Sequence, residues 1–226
     1  MLVNWPLLLF AIVLLWIPRQ ALRQGATFLR SKKRSKKGTL SPQEQREKGD
    51  PRVDFGMEFS KFRNYVDLFR GAVGSLAFVG VAGVIEPCIT LPRGTSSTTT
   101  YVVISLRFAI LLIGVLLQTL RREHHKVTFY PPIFFIAGLT VGMCGYQAAL
   151  FAFVLVWAFN PIFGNAQMFL FAYAVLIVVF GHFFGRNSLL SIVSASFLCF
   201  LPALLSMMAN RPLVIFGRRG DRIART

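Results

Sequence analysis

The chain has 226 residues, of which 54% are hydrophobic, with a formal net charge of +16 and a mean hydropathy of +0.58. A soluble domain of this size does not carry several uncharged runs near 20 residues, so the composition excludes that class and predicts an all-α, polytopic membrane bundle. Thirteen of the 25 Lys and Arg lie between Arg19 and Arg63 and five more follow Asn210. That clustering suits an anionic lipid surface and argues against nucleic acid as a partner.

Leu2 to Ile17 is the first apolar run. It lacks the polar face of an interfacial helix and the basic start of a signal peptide, so residues 1–17 are expected to be a short N-terminal transmembrane helix. Residues 18–52 form a basic linker, placed on the cytoplasmic side by its charge. Within it Lys32, Lys33, Arg34, Lys36 and Lys37 are expected to contact anionic phospholipids, at ~1 kcal/mol per basic residue near the surface. Thr39 to Arg52 is polar, has no apolar period and contains Pro42, Gly49 and Pro51. It reads as a flexible segment.

Between Val53 and Arg70 the residues Phe55, Phe59, Phe62, Val66 and Phe69 step by four, three, four and three. The charged residues fall at helical pair spacings on the other side. This predicts an amphipathic helix over 53–70, lying in the cytoplasmic interface and turning into the next span. Asp67, Arg70 and Gly71 make an Asp-x-x-Arg-Gly pattern that resembles the segment before the first span of membrane O-acyltransferases. That family implies a histidine in the following helix, and no histidine occurs here between Gly71 and Arg121. The pattern therefore reads as a membrane entry, with Asp67 and Arg70 paired at the surface.

Residues 71–208 are expected to form the main transmembrane bundle. Its second span runs from Gly71 to about Leu91, interrupted at Glu86-Pro87 because proline cannot continue the helical ladder. A polar loop (Arg93 to Thr100) leads to a third span, Tyr101 to Leu120, which carries Arg107, and to the basic loop Arg121 to Lys126. Ile133 to Phe159 is 27 residues long and uncharged, and reads as one tilted spanning helix. Gly138, Gly142, Gly145, Ala149 and Ala152 recur along it at steps of four, three, four and three. That seven-residue repeat predicts one helix-packing face, where backbones approach closely over small residues. The partner is another helix of this chain or another subunit.

Ala166 to Phe184 is the fifth span, Ser188 to Met208 the sixth apolar run, and 209–226 a basic tail. Six spans leave that tail outside, against the positive-inside rule. The alternative is five spans plus a re-entrant C-terminal segment bent near Pro202.

Few residues carry chemistry. Glu86 and Arg107 are equidistant from the centre of the 92–101 connection, so an antiparallel hairpin brings them to similar depth as a candidate intramembrane ion pair. The kink at Pro87 would expose carbonyls beside Glu86, as in some transport sites. No metal site and no cofactor is expected: the three cysteines lie in apolar runs without a ligand spacing, and His124, His125 and His182 stand without a haem-attachment or metalloprotease motif. No base is positioned for a serine nucleophile, so no catalytic residue is assigned. The expected function is a non-catalytic subunit, assembly factor or scaffold in a cell (inner or plasma) membrane, multi-pass, with residues 18–70 cytoplasmic. Its partners would be the lipid bilayer and a protein partner or a second copy of itself. A small transporter or channel using Glu86 and Arg107 is the alternative, and a lipid-modifying enzyme the third reading.

Overall fold

The longest uncharged runs become the longest helices. The computed structural model describes residues 2–18, 53–80, 85–92, 96–123, 126–184, 188–211 and 213–215. The expected lipid-contact residues Lys32, Lys33, Arg34, Lys36 and Lys37, together with His124 and His125, lie outside the described residues. In chain order the elements are β1 (Leu2–Val3), α1 (Trp5–Trp16), α2 (Phe55–Phe59), α3 (Phe62–Val79), β2 (Ile89–Thr90), α4 (Ser97–Thr119), β3 (Leu120–Glu123) and β4 (Lys126–Phe129). They continue with α5 (Ile133–Cys144), α6 (Tyr146–Ala158), a 3-10 turn (Asn160–Ile162), α7 (Ala166–Phe184) and α8 (Leu189–Met208). The fold is all-helical apart from two short antiparallel pairs, β1 with β2 and β3 with β4. Three helices, α4, α7 and α8, are long and apolar enough to cross a membrane. Pro202 is buried inside α8, which continues as one helix over Leu189–Met208.

Two expectations fail at glycines. The first is the single helix over 133–159. It is two helices, broken at Gly145, whose φ of +89° is a conformation that residues with a side chain rarely adopt. The second half then doubles back. The Phe134 ring lies 5.6 Å from Phe153 and 6.4 Å from Trp157. A straight helix would hold Phe134 and Trp157 about 35 Å apart at 1.5 Å per residue. The second failure is the span expected to reach Leu91. α3 stops at Val79, because Gly80 takes φ +78° and turns the chain back. The Cys88 amide then donates to the Ala77 carbonyl at 2.9 Å.

The core of the bundle is the crossing of α3 and α5, which run parallel. Gly138 packs on the backbone of Leu68, Gly71 and Ala72. Gly142 packs on Ser75 and Leu76, and Gly71 packs in turn on Phe135, Gly138 and Leu139. A Cβ at Gly138 would overlap the Leu68 carbonyl oxygen and sit 2.7 Å from the Ala72 nitrogen. Small residues four apart on both helices thus let the two backbones touch. The opposite side of α3 receives α1, where Leu15 fits against Gly74 and, beyond it, Gly114 of α4.

Ring pairs and hydrogen bonds fix the remaining directions. α6 and α7 are antiparallel, with Trp157 beside Phe169 and Phe151 beside Phe184. α7 and α8 are antiparallel too, with Phe171 beside Phe200 and Gln167 bonded to Ser206. One end of the bundle therefore collects the ends of α1, α4, α6 and α8 and the starts of α3, α5 and α7.

The crossing predicts the response to added bulk. Gly138→Val inserts atoms into backbone and should destabilise the protein by about 3 kcal/mol or more, beyond ordinary overpacking. Gly145→Ala meets open space and pays only for an extended backbone at positive φ, about 1–3 kcal/mol. Unfolding in mild detergent should rank them in that order.

Candidate functional site

Most of the buried polar residues among those described are gathered at the end just described; Ser75 and Thr140 lie deeper between the helices. α1 ends at Trp16 because Pro18 holds Ile17 extended, with ψ at 116°. The last carbonyls of α1 then have no helical partner and lie among apolar helices, where an unpaired carbonyl is costly. Arg70 and Gln118 supply the donors. Arg70 donates from Nε and Nη2 to the Leu14 carbonyl at 3.0 and 2.8 Å, and from Nη2 to Ile17. Gln118 Nε2 donates to Ile17 at 2.8 Å and to Leu15 at 3.3 Å. The guanidinium also meets the negative end of the helix dipole.

Asp67 balances that charge, accepting from Arg70 Nη1 at 3.2 Å, and both side chains are only 5% exposed. The surface pairing expected for Asp67 and Arg70 is therefore corrected: the pair is internal, and it docks α1 onto α3. Two members of the aromatic stripe face the other way. Phe62 and Phe69 are 80% and 66% exposed, while Asn64, Asp67 and Arg70 are buried. Sequence periodicity locates both stripes but not which of them faces outward.

Nearby, Glu58 accepts from Lys61 and from Asn64, both at 2.6 Å. Asn160 donates to the Val53 carbonyl at 2.7 Å, tying the return of α6 to the entry of α2. Gln167 Nε2 donates to Ser206 Oγ at 3.0 Å, and Ser206 donates to the Arg211 carbonyl. The backbone of Val214 donates to Phe129, so the chain beyond α8 is held against β4. A cavity of about 30 Å³, room for a water or two, lies here between Glu58, Lys61, Arg63, Tyr130 and Val214.

The Glu86 and Arg107 pair does not form. Glu86 is exposed, whereas half-buried Arg107 donates from Nη2 to the Ile89 carbonyl. The reason is β2: residues 89–90 pair with 2–3, and this holds a carbonyl rather than the Glu86 carboxylate over Arg107. Equal depth along a hairpin says nothing of the direction a side chain takes around the helix axis.

The five small residues are divided by the break at Gly145. Gly138 and Gly142 meet α3, Gly145 makes the turn, and buried Ala149 and Ala152 belong to the returning helix. Next to them lies an aromatic cluster that the sequence reading missed, built from Phe59, Phe134, Phe153, Trp157 and Phe169, with rings 4.9–6.4 Å apart. The spacing of Phe153 and Trp157 was its one visible signal.

For chemistry the arrangement offers little. His182 is exposed, the three cysteines are buried, and among the described residues no three potential metal ligands come together. Thr140 and Tyr173 share a buried hydrogen bond of 2.8 Å between α5 and α7, with no base beside them. Comparison with family models, curated proteins and solved structures returns no match to this chain.

The α1 dock gives a direct prediction. Arg70→Leu leaves the Asp67 carboxylate and the α1 carbonyls unpaired and should cost about 3–5 kcal/mol. Arg70→Lys keeps the charge but cannot span Leu14, Ile17 and Asp67 together, and should fall between the two. Protease resistance of the first 18 residues in detergent would report the loss of docking.

Proposed function

We infer that the chain is a multi-pass membrane protein acting as a non-catalytic subunit, assembly factor or scaffold. One observation carries this reading: Asp67, Arg70 and Arg107 bond to the protein's own groups, and the charged residues that do line a cavity, Glu58, Lys61 and Arg63, enclose room for only a water or two. Asp67 and Arg70 hold the end of α1, and Arg107 holds the Ile89 carbonyl. A transport or catalytic site would leave such residues facing a cavity. Burial of polar groups beneath an exposed apolar surface, with Leu150, Val154, Phe171 and Val175 all turned outward, fits lipid as the surroundings.

The same arrangement supports one topology. α1, α3, α4, α7 and α8 cross, and α5 with α6 forms a re-entrant pair that enters and leaves at the polar end. The re-entrant element is thus 133–159 rather than the C-terminal run. The 18–52 linker, the Arg121 to Lys126 hairpin and the 209–226 tail then share one side. This satisfies the positive-inside rule and makes that side cytoplasmic, facing anionic phospholipid. The irregular backbone at Gly145 lies beside exposed Tyr146 and Gln147, so it requires water or lipid headgroups there rather than hydrocarbon.

Two measurements test this reading. With an epitope tag at each terminus, protease added to sealed vesicles should reach only one tag; both tags on the same side would restore six spans. Native mass spectrometry after gentle extraction should find a stoichiometric protein partner or a second copy. A lone monomer would remove the subunit reading.

A further inference from the structure

Among the described residues six of the long helices fall into two length classes, and α3, with 18 residues, lies between them. α4, α7 and α8 contain 23, 19 and 20 residues, about 28–35 Å at 1.5 Å per residue. α1, α5 and α6 contain 12, 12 and 13, about 18–20 Å.

Cross-helix contacts place them on one scale. All start from the polar end, where Gln118 meets Ile17 and Gln167 meets Ser206. Towards the other end, Arg107 bonds Ile89, and Ile89 pairs with Val3. The start of α1 therefore lies level with Arg107, about 15 Å short of the first residue of α4. Thr140 bonds Tyr173, which sets Gly145 level with Val178, about 9 Å short of the end of α7. Gly142 packs on Ser75, so α3 ends at that height as well. Phe108 of α4 lies 6.0 Å from the ring of Phe197 of α8, linking the two scales. α1, α3, α5 and α6 thus form a low sector beside a wall of α4, α7 and α8.

The sector's outward faces are apolar, with Trp5, Leu9 and Val13 on α1 and Leu150 and Val154 on α6 exposed. Its upper rim carries the exposed polar side chains Asn4, Glu86 and Gln147, set among exposed Leu2, Ile85 and Tyr146. A hydrocarbon core about 30 Å thick would cover that rim, and carboxylates and amides do not stay in hydrocarbon. A bilayer meets a short apolar belt by thinning.

We propose that the α1–α3–α5–α6 sector is a lipid-facing surface matched to a thin bilayer, so that the protein draws the outer leaflet down to the level of Gly145. The proposal rests on the membrane-spanning reading above. Its partner is the phospholipid bilayer itself, recognised by hydrophobic height.

Single cysteines test it in vesicles with a membrane-impermeant maleimide, the unsubstituted chain giving the background. Gln147→Cys reports the low rim, Tyr146→Cys is a second probe of the same rim, and Val178→Cys reports the same height on the wall. Leu189→Cys, at the outer end of α8, normalises for orientation. In short-chain dimyristoleoyl phosphatidylcholine the two rim cysteines should label within about threefold of Leu189→Cys, while Val178→Cys stays protected. In long-chain dierucoyl phosphatidylcholine rim labelling should fall about tenfold relative to Leu189→Cys, because deeper thinning is then required. Protection of the rim in both lipids overturns the proposal and leaves the membrane reading standing. Equal rim labelling in both also overturns it, since a fixed water-filled recess would explain the access. Labelling of Val178→Cys at the rate of Leu189→Cys overturns both.

Discussion

The contact between the backbones of α3 and α5 is the constraint on which the other helices depend. Helices in lipid gain little from hiding apolar surface, so close packing and hydrogen bonds must hold them. Here Gly71, Gly138 and Gly142 remove the side chains that would keep the two backbones apart, and Ser75 fits the remaining space. The crossing sets the depth of α5. That depth places the turn at Gly145, the turn directs α6 back to the aromatic cluster around Trp157, and α6 positions α7. On the other face of α3, Gly74 admits Leu15 and so fixes α1.

Polarity is arranged inside out. Phe62 and Phe69 of α3 point outward, and its Asn64, Asp67 and Arg70 point inward. In water this would be a poor helix; in lipid it is economical, because each inward group completes a backbone that ended early. Arg70 and Gln118 complete α1, Asn160 completes the entry to α2, and Gln167 with Ser206 closes α7 onto α8. The polar groups cluster at one end because that is where the helices start and stop together. The basic segments of the chain leave from that same end.

How much of this was legible depends on the kind of signal. Runs such as 166–184 and 189–208 are visible because length and absence of charge suffice to mark them. The small residues Gly138 and Gly142 are visible as spacing, although the spacing does not identify α3 as the helix they meet. The break at Gly145 is hidden, since glycine continues a membrane helix as readily as it ends one. The excess length of 133–159 and the polar step at Tyr146-Gln147 were its faint signs. Glu86 and Arg107 misled because depth was inferred without direction, and a two-residue strand pairing placed the Ile89 carbonyl where a carboxylate was expected. Long-range pairing of that kind has no local sequence pattern.

The hairpin of α5 and α6 is the claim that most changes the topology, and a single distance tests it. Spin labels at Leu120 and Ile162, both exposed and flanking the two helices, report how far apart the ends of 133–159 lie. The hairpin predicts a separation within about 30 Å, the width of a small domain, because both ends return to the polar face. A distribution centred beyond about 40 Å, the length of an unbroken 27-residue helix, would contradict it.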